Sequence, residues 1–201
     1  AARALRLALG AATIGAVMAG GAVLVDYLGE LGRDDRAVPP GAEAAIGGPF
    51  TLVDHQGRTV TQADFAGQPL LVFFGFTHCP HVCPSTLARL STVLRELGPQ
   101  AQALTVAFIT VDPQRDTPAR LASYRAPFDA RIRYLTGTPE QSAEVTQAYG
   151  VSYAKVALAG GDYTMDHTAA LYLMDGRNRL VESFAEATDA GDMARRIRAH
   201  L

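Results

Sequence analysis

Residues 69–76 (PLLVFFGF) form a nearly unbroken apolar run that ends directly in Thr77-His78-Cys79-Pro80-His81-Val82-Cys83-Pro84. Behind it, Leu87, Leu90, Leu94 and Leu97 recur at helical spacing and stop at Gly98. So dense an apolar run predicts a strand covered on both faces. The leucine repeat closed by glycine predicts a helix. A buried strand that hands two cysteines to the start of a helix points to a layered α/β architecture. The rest of the chain agrees. Residues 104–111 (LTVAFITV) predict a second buried strand. Residues 50–53 and 58–60 flank Asp54-His55-Gln56-Gly57, a hairpin signal. Thr117-Pro118 and Thr138-Pro139 each put a capping residue before a proline at the first helical position, and Gln141 completes a capping box with Thr138. Residues 151–158 and 169–174 read as strands, the latter turned by Asp175-Gly176-Arg177-Asn178 into 180–184, and a last helix starts near Asp189. A mixed sheet flanked by helices follows.

The first 46 residues have a different texture. Residues 7–25 (LALGAATIGAVMAGGAVLV) are 19 residues without a charge. At about 1.5 Å per residue they span about 28 Å, close to a bilayer's hydrocarbon core. Arg3 and Arg6 precede the run, while Asp26, Glu30, Asp34 and Asp35, with Arg33 and Arg36 among them, follow it; the purely positive charge before the span favours the N-terminus inside and the main domain outside. The run is longer than a signal peptide's apolar region and lacks a clean small-x-small site, so an uncleaved anchor is expected. The division is a membrane anchor over 1–25, a linker over 26–46 containing Val38-Pro39-Pro40-Gly41, and a folded domain over 47–201.

Composition excludes some classes. With 48% hydrophobic and 19% charged residues the chain is not mostly disordered. Its net charge of −2 shows no basic surplus, so nucleic acid is not an expected partner.

The chemistry lies in the two cysteines, the only two in the chain. On a helical turn positions i and i+4 share a face, so Cys79 and Cys83 can chelate one soft metal ion or close a disulfide. At a helix N-terminus a thiolate is favoured by free N–H groups and the helix dipole. Two cysteines exposed at a strand–helix junction look more like a site than a staple, and the loop a disulfide would close is very short. Zinc is weakly signalled without a second cysteine pair, whereas two thiolates and an imidazole suit Cu(I). Among the five histidines, His55 in a turn and His200 at the C-terminus read as solvated. His78 and His81 flank the cysteines, and His167 precedes a strand. Spacing alone makes His81 a plausible ligand and His167 a candidate.

GFTHCPHVCP (75–84), VDPQRDTP (111–118), TGTPEQ (136–141), AYGVSYAKV (148–156) and DHTAALYLMD (166–175) occur in the order found in the SCO/SenC family, which this chain resembles over roughly residues 45–200. That family consists of membrane-tethered copper chaperones that serve assembly of the Cu(A) centre of cytochrome c oxidase. The resemblance implies a thioredoxin-like fold behind an N-terminal transmembrane helix. It implies copper ligation by Cys79, Cys83 and His167, mainly of Cu(I) with Cu(II) as a second state. The implied partners are the Cu(A)-bearing oxidase subunit, a thioredoxin-like reductase and another copper donor. The implied location is a bacterial inner membrane, with one N-terminal span and the soluble domain in the periplasm. A mitochondrial inner membrane would follow the same logic. One departure stands out: the family usually carries an acidic residue where this chain has His81. The imidazole there is a further ligand, a bias toward Cu(II), or a side chain in water. Asp112 and Asp166 are candidates to orient His167 or dock a partner, with turn or capping roles as the alternative. The rival function is a membrane-tethered thiol–disulfide oxidoreductase acting on the Cu(A) cysteines, with Cys79 as nucleophile and Cys83 as resolving thiol. A copper-dependent redox sensor needs the same residues.

Overall fold

The computed structural model describes residues 46–201. The expected span at residues 7–25 and most of the linker lie outside them. Among the described residues no helix is long and apolar enough to cross a membrane.

Strand β1 (Thr51–Asp54) turns back into β2 (Thr59–Thr61) as the hairpin signal predicts. The turn is tied by the Asp54 carboxylate, which accepts from the backbone N–H groups of Gln56 (2.8 Å) and Arg58 (3.0 Å). His55 in this turn departs from expectation. It is half-buried, and burial, with the charge of Arg125, lowers its pKa below the ordinary histidine value. Strand β3 (Leu70–Gly75) is buried at all six positions. Helix α1 (Val82–Leu97) follows and ends at Gly98, whose φ of 56° suits a residue without Cβ. Strand β4 (Thr105–Thr110) leads through a loop into helix α2 (Pro118–Tyr124), capped by Thr117, whose hydroxyl accepts from the Arg120 N–H. Strand β5 (Ile132–Thr136) precedes helix α3 (Pro139–Ala148), which starts with the predicted Thr138–Gln141 capping box. Then come β6 (Tyr153–Ala157), β7 (Tyr163–His167), β8 (Ala170–Met174), β9 (Leu180–Ala185) and helix α4 (Ala190–Arg198), capped by Asp189.

Seven strands make one mixed sheet in the order β2-β1-β5-β4-β3-β8-β9. The centre, β5-β4-β3, is parallel, and β1, β2, β8 and β9 add antiparallel on either side. Helices α1 and α4 pack together, α2 lies on β5 and α3 on β1. The core is aromatic on the α2 side. Phe108 stands 5.9 Å from Phe73, 5.4 Å from Tyr134 and 6.2 Å from Tyr124, ring to ring. Each fully buried large apolar side chain here contributes about 1.5–3 kcal/mol. Strands β6 and β7 stand apart as a two-stranded ribbon, with every residue of β6 exposed. Thus β3, which leads into the cysteine turn, and the ribbon, which carries His167, belong to different sheets.

Candidate metal centre

The chain leaves β3 at Gly75, passes the buried Phe76 and reaches Thr77, which is pinned. Its N–H donates to Asp116 Oδ2 (2.9 Å) and its hydroxyl to Asp116 Oδ1 (2.6 Å). Asp116 is fully buried and also accepts from the Thr110 hydroxyl (2.6 Å) at the end of β4. The Arg120 Nε donates to the Thr77 hydroxyl oxygen (3.0 Å) from α2. The turn then brings the Cys79 N–H to the Phe76 carbonyl (3.3 Å). Helix α1 has His81 as its N-cap, with no hydrogen bond from the His81 side chain. Cys79 therefore precedes the helix rather than sharing a face of it with Cys83, because the cap falls between them. Pro84 sits in the first turn, where a missing N–H costs nothing.

The cap is supplied by sulfur. The Cys83 N–H donates to Cys79 Sγ at 3.4 Å. A hydrogen bond from the Cys83 thiol, joined by the backbone N–H groups of Cys83, His81 and Val82, pulls the Cys79 pKa down to about 5. Cys79 is a thiolate at neutral pH, stabilised where the helix carries its positive end. The same thiol–thiolate bond, together with burial, pushes the Cys83 pKa up. Both cysteines are free. They are not both exposed, as the junction had led us to expect. Cys79 is half-buried and Cys83 has no exposed surface, since it packs beneath the turn against Gly75 and Phe108. A Cβ at Gly75 would stand 2.8 Å from both Cys83 Sγ and Phe108 Cε2. Gly75→Ala is predicted to cost about 1–3 kcal/mol by overpacking and to move Cys83 off Cys79, raising the Cys79 pKa. Thermal melting together with titration of thiolate absorbance checks this. Wild-type values in both would refute it.

His167 ends β7, directly opposite Tyr153 in the ribbon. Its ring meets Phe76 edge to face, with centroids 5.9 Å apart and planes at 88°. Phe76 stands only three residues before Cys79, so the ribbon brings His167 to the same end of β3. Its Nδ1 lies 3.0 Å from the Thr168 carbonyl oxygen. A proton on Nδ1 satisfies that oxygen and leaves the Nε2 lone pair for a metal. Beside it opens a recess of about 340 Å³ lined by Ser152, Tyr153, Ala154, Asp166, His167 and Thr168. The three expected ligands are not gathered. Among the described residues no three His, Cys, Asp or Glu side chains lie close enough together to hold a metal ion. The cysteines are paired, and His167 packs on Phe76, three residues before Cys79.

The other candidates fall elsewhere. His78 and His81 are exposed, and His200 is exposed 3.7 Å from Glu182. Neither aspartate takes the role of orienting His167, which Thr168 fills. Asp166 is exposed on the rim of the recess, and Asp112 is buried and bonded to Tyr163 (2.9 Å) and Arg115 (2.5 Å). Asp116 and Thr77 were not anticipated. The Asp-Thr-Pro at 116–118 marks a helix start, but only the fold brings Asp116 to Thr77.

Comparison with known proteins points the same way. The SCO1/SenC family profile matches residues 38–201. The mitochondrial SCO2 homolog of Bos taurus is 38% identical over 194 residues, covering 94% of this chain and 73% of that protein. The structure of Bradyrhizobium japonicum ScoI with copper bound is 45% identical, with a TM-score of 0.74 over 78% of this chain and all of that one. Yeast Sco1 with copper bound is 33% identical, with a TM-score of 0.72 over 78% of this chain and 88% of that one. A profile match over most of the chain and relatives of this identity on the same fold lead to one conclusion: the chain belongs to the SCO1/SenC family.

Proposed function

We propose that the protein is a membrane-tethered copper chaperone that loads Cu(I) on Cys79, Cys83 and His167 and delivers it to the Cu(A) site of cytochrome c oxidase. The observation that carries this is the pairing of a thiolate with a neighbouring thiol three residues past Phe76, the ring on which the His167 imidazole packs. Two soft sulfur donors select Cu(I). Copper bound to relatives of 45% and 33% identity supports the assignment. Uptake requires little rearrangement of the cysteines: Cys79 already lacks its proton, Cys83 releases one, and the ribbon brings His167 inward. Release to the acceptor's cysteines proceeds by stepwise exchange of these ligands. An N-terminal span at residues 7–25 in the bacterial inner membrane, with the folded domain in the periplasm, holds the cargo near its acceptor and raises the encounter concentration. Because an oxidised Cys79–Cys83 pair offers no thiolates, a thioredoxin-like reductase is a required partner, and a further copper donor supplies the metal.

The test is a Cu(I) titration of the reduced protein against a competing chelator. One equivalent is expected. His167→Ala is expected to weaken it at least tenfold, as loss of one of three ligands should, while His81→Ala leaves it unchanged. Binding that ignores His167 would exclude the three-ligand site.

A second function is favoured by the asymmetry of the two thiols. A low-pKa, accessible Cys79 over a buried, protonated Cys83 is the arrangement of a nucleophile and its resolving partner. Cys79 would attack an acceptor disulfide and expel one acceptor thiolate. Cys83 would then lose its proton and displace the second, leaving a Cys79–Cys83 disulfide and a reduced acceptor. Rapid reduction of a disulfide substrate without tight copper binding would move the protein to this class.

A further inference from the structure

We propose that the loop between β4 and α2, residues 111–117, is a brace that sets the distance from the cysteine pair to His167, with Tyr163 as its positioning residue on the ribbon. The inference deepens the copper-chaperone proposal and rests on it. One end of the brace holds the cysteine turn: Asp116 takes the N–H and hydroxyl of Thr77, two residues before Cys79. The other end holds the ribbon. The Tyr163 hydroxyl donates to Asp112 Oδ1 (2.9 Å), and Arg115 Nη1 donates to the Tyr163 carbonyl (2.9 Å) and to Asp162 (3.3 Å). The Arg115 guanidinium lies 3.6 Å from the centre of the Tyr163 ring, and its Nε donates to Asp112 Oδ2 (2.5 Å). Lys155, from the opposite strand, puts its ammonium 3.9 Å from the same ring centre and donates to Gln114 Oε1 (2.8 Å). Asp112 and Asp116 are both buried and only four residues apart.

Tyr163 and His167 occupy the two ends of β7, on the same face, about 13 Å apart at the usual rise. The strand is held at both ends: at Tyr163 by the loop, and just past His167 by the Thr168 N–H, which donates to the Ser152 carbonyl (2.9 Å). Between these ties it carries the imidazole to Phe76, so a change in how Tyr163 is held alters the course of β7 and with it the position of His167. The polar contacts are charge-assisted and partly buried, so they resist that tilt more than neutral surface bonds would.

Tyr163→Phe removes one hydroxyl and keeps the ring between its two cations, so the fold survives. It is expected to weaken Cu(I) binding about tenfold, in the range found when groups that orient a metal ligand are removed, and to have no further effect in a His167→Ala background. A copper-free reading accompanies it. In the apo protein the Phe76 ring displaces the His167 imidazole proton resonances, and in Tyr163→Phe these shift toward the values of an exposed histidine. If His167→Ala weakens binding but Tyr163→Phe binds and resonates as wild type, the brace is refuted and the chaperone site stands. If Tyr163→Phe weakens binding equally in both backgrounds, its effect does not pass through His167 and the brace is refuted. If His167→Ala itself changes nothing, the three-ligand site falls, and the brace as a determinant of copper binding falls with it.

Discussion

Asp116→Ala is expected to lower the stability of the folded domain by about 3–5 kcal/mol, because it strips the acceptor from buried donors that each cost about 1–3 kcal/mol when left unpaired. The donors are the Thr77 N–H, the Thr77 hydroxyl and the Thr110 hydroxyl. They come from the end of β3 and the end of β4, so one carboxylate ties the cysteine turn to the neighbouring strand. At about 2–4 °C per kcal/mol for a domain of this size, the melting temperature should fall by about 6–20 °C. Asp116→Asn keeps one acceptor oxygen and should lose about half as much. A melting temperature for Asp116→Ala within about 2 °C of wild type would show that the turn is held by something else, since surface changes rarely exceed about 0.5 kcal/mol.

The second large effect is in pH. With a pKa of about 5, Cys79 is expected to alkylate at a nearly constant rate from neutrality down to about pH 6, then to slow about tenfold per unit below pH 5 as the thiolate is protonated. An ordinary thiol with a pKa near 8.5 would already be slowing about tenfold per unit throughout that range. The magnitude is decided by two opposing factors. Near pH 6 Cys79 holds about 300 times the thiolate fraction of an ordinary cysteine, but its lower basicity cuts nucleophilicity by about 40-fold, leaving an advantage of about sevenfold. Cys83 should react last, being buried and protonated. Measuring incorporation of iodoacetamide against pH, with peptide mapping to assign the site, checks both statements. A Cys79 rate that climbs tenfold per unit from about pH 6 to 8 would mean that the Cys83 thiol and the capping N–H groups do not stabilise the thiolate.

The strands of the central sheet were legible where burial on both faces leaves an unbroken apolar run, as in β3 and β4. Strand β5 was not, because Arg133 interrupts it and Arg131 stands just before it. In the fold Arg133 lies with its guanidinium 4.8 Å from the centre of the Phe65 ring, an accommodation between distant residues that periodicity does not register. Strand β7 was missed for the same kind of reason. Its alternation is broken by Asp166 and His167, and its partner is the fully exposed β6. Helix starts did better, since Thr117, Thr138 and Asp189 act through bonds within three residues. The cysteine pair was visible from spacing, but not the depth of Cys83, which depends on Gly75 and Phe108. His167 was singled out by resemblance to a family, and what holds its ring is a neighbouring carbonyl rather than either suspected aspartate. Asp116 escaped notice because its partners are 39 and 6 residues away, and a carboxylate before a helix cap ordinarily has a local task.

Under the proposed chaperone function, the ribbon of β6 and β7 bears on how copper would be released. One jaw of the site is the turn between β3 and α1, pinned at Thr77 by the buried Asp116. The other is hung on a solvated pair of strands outside the main sheet, fastened by the polar clasp around Tyr163. Local excursions of such a segment cost far less than melting the domain. The protein can thus loosen its grip without losing its shape, and the thermodynamics of holding are separated from those of folding.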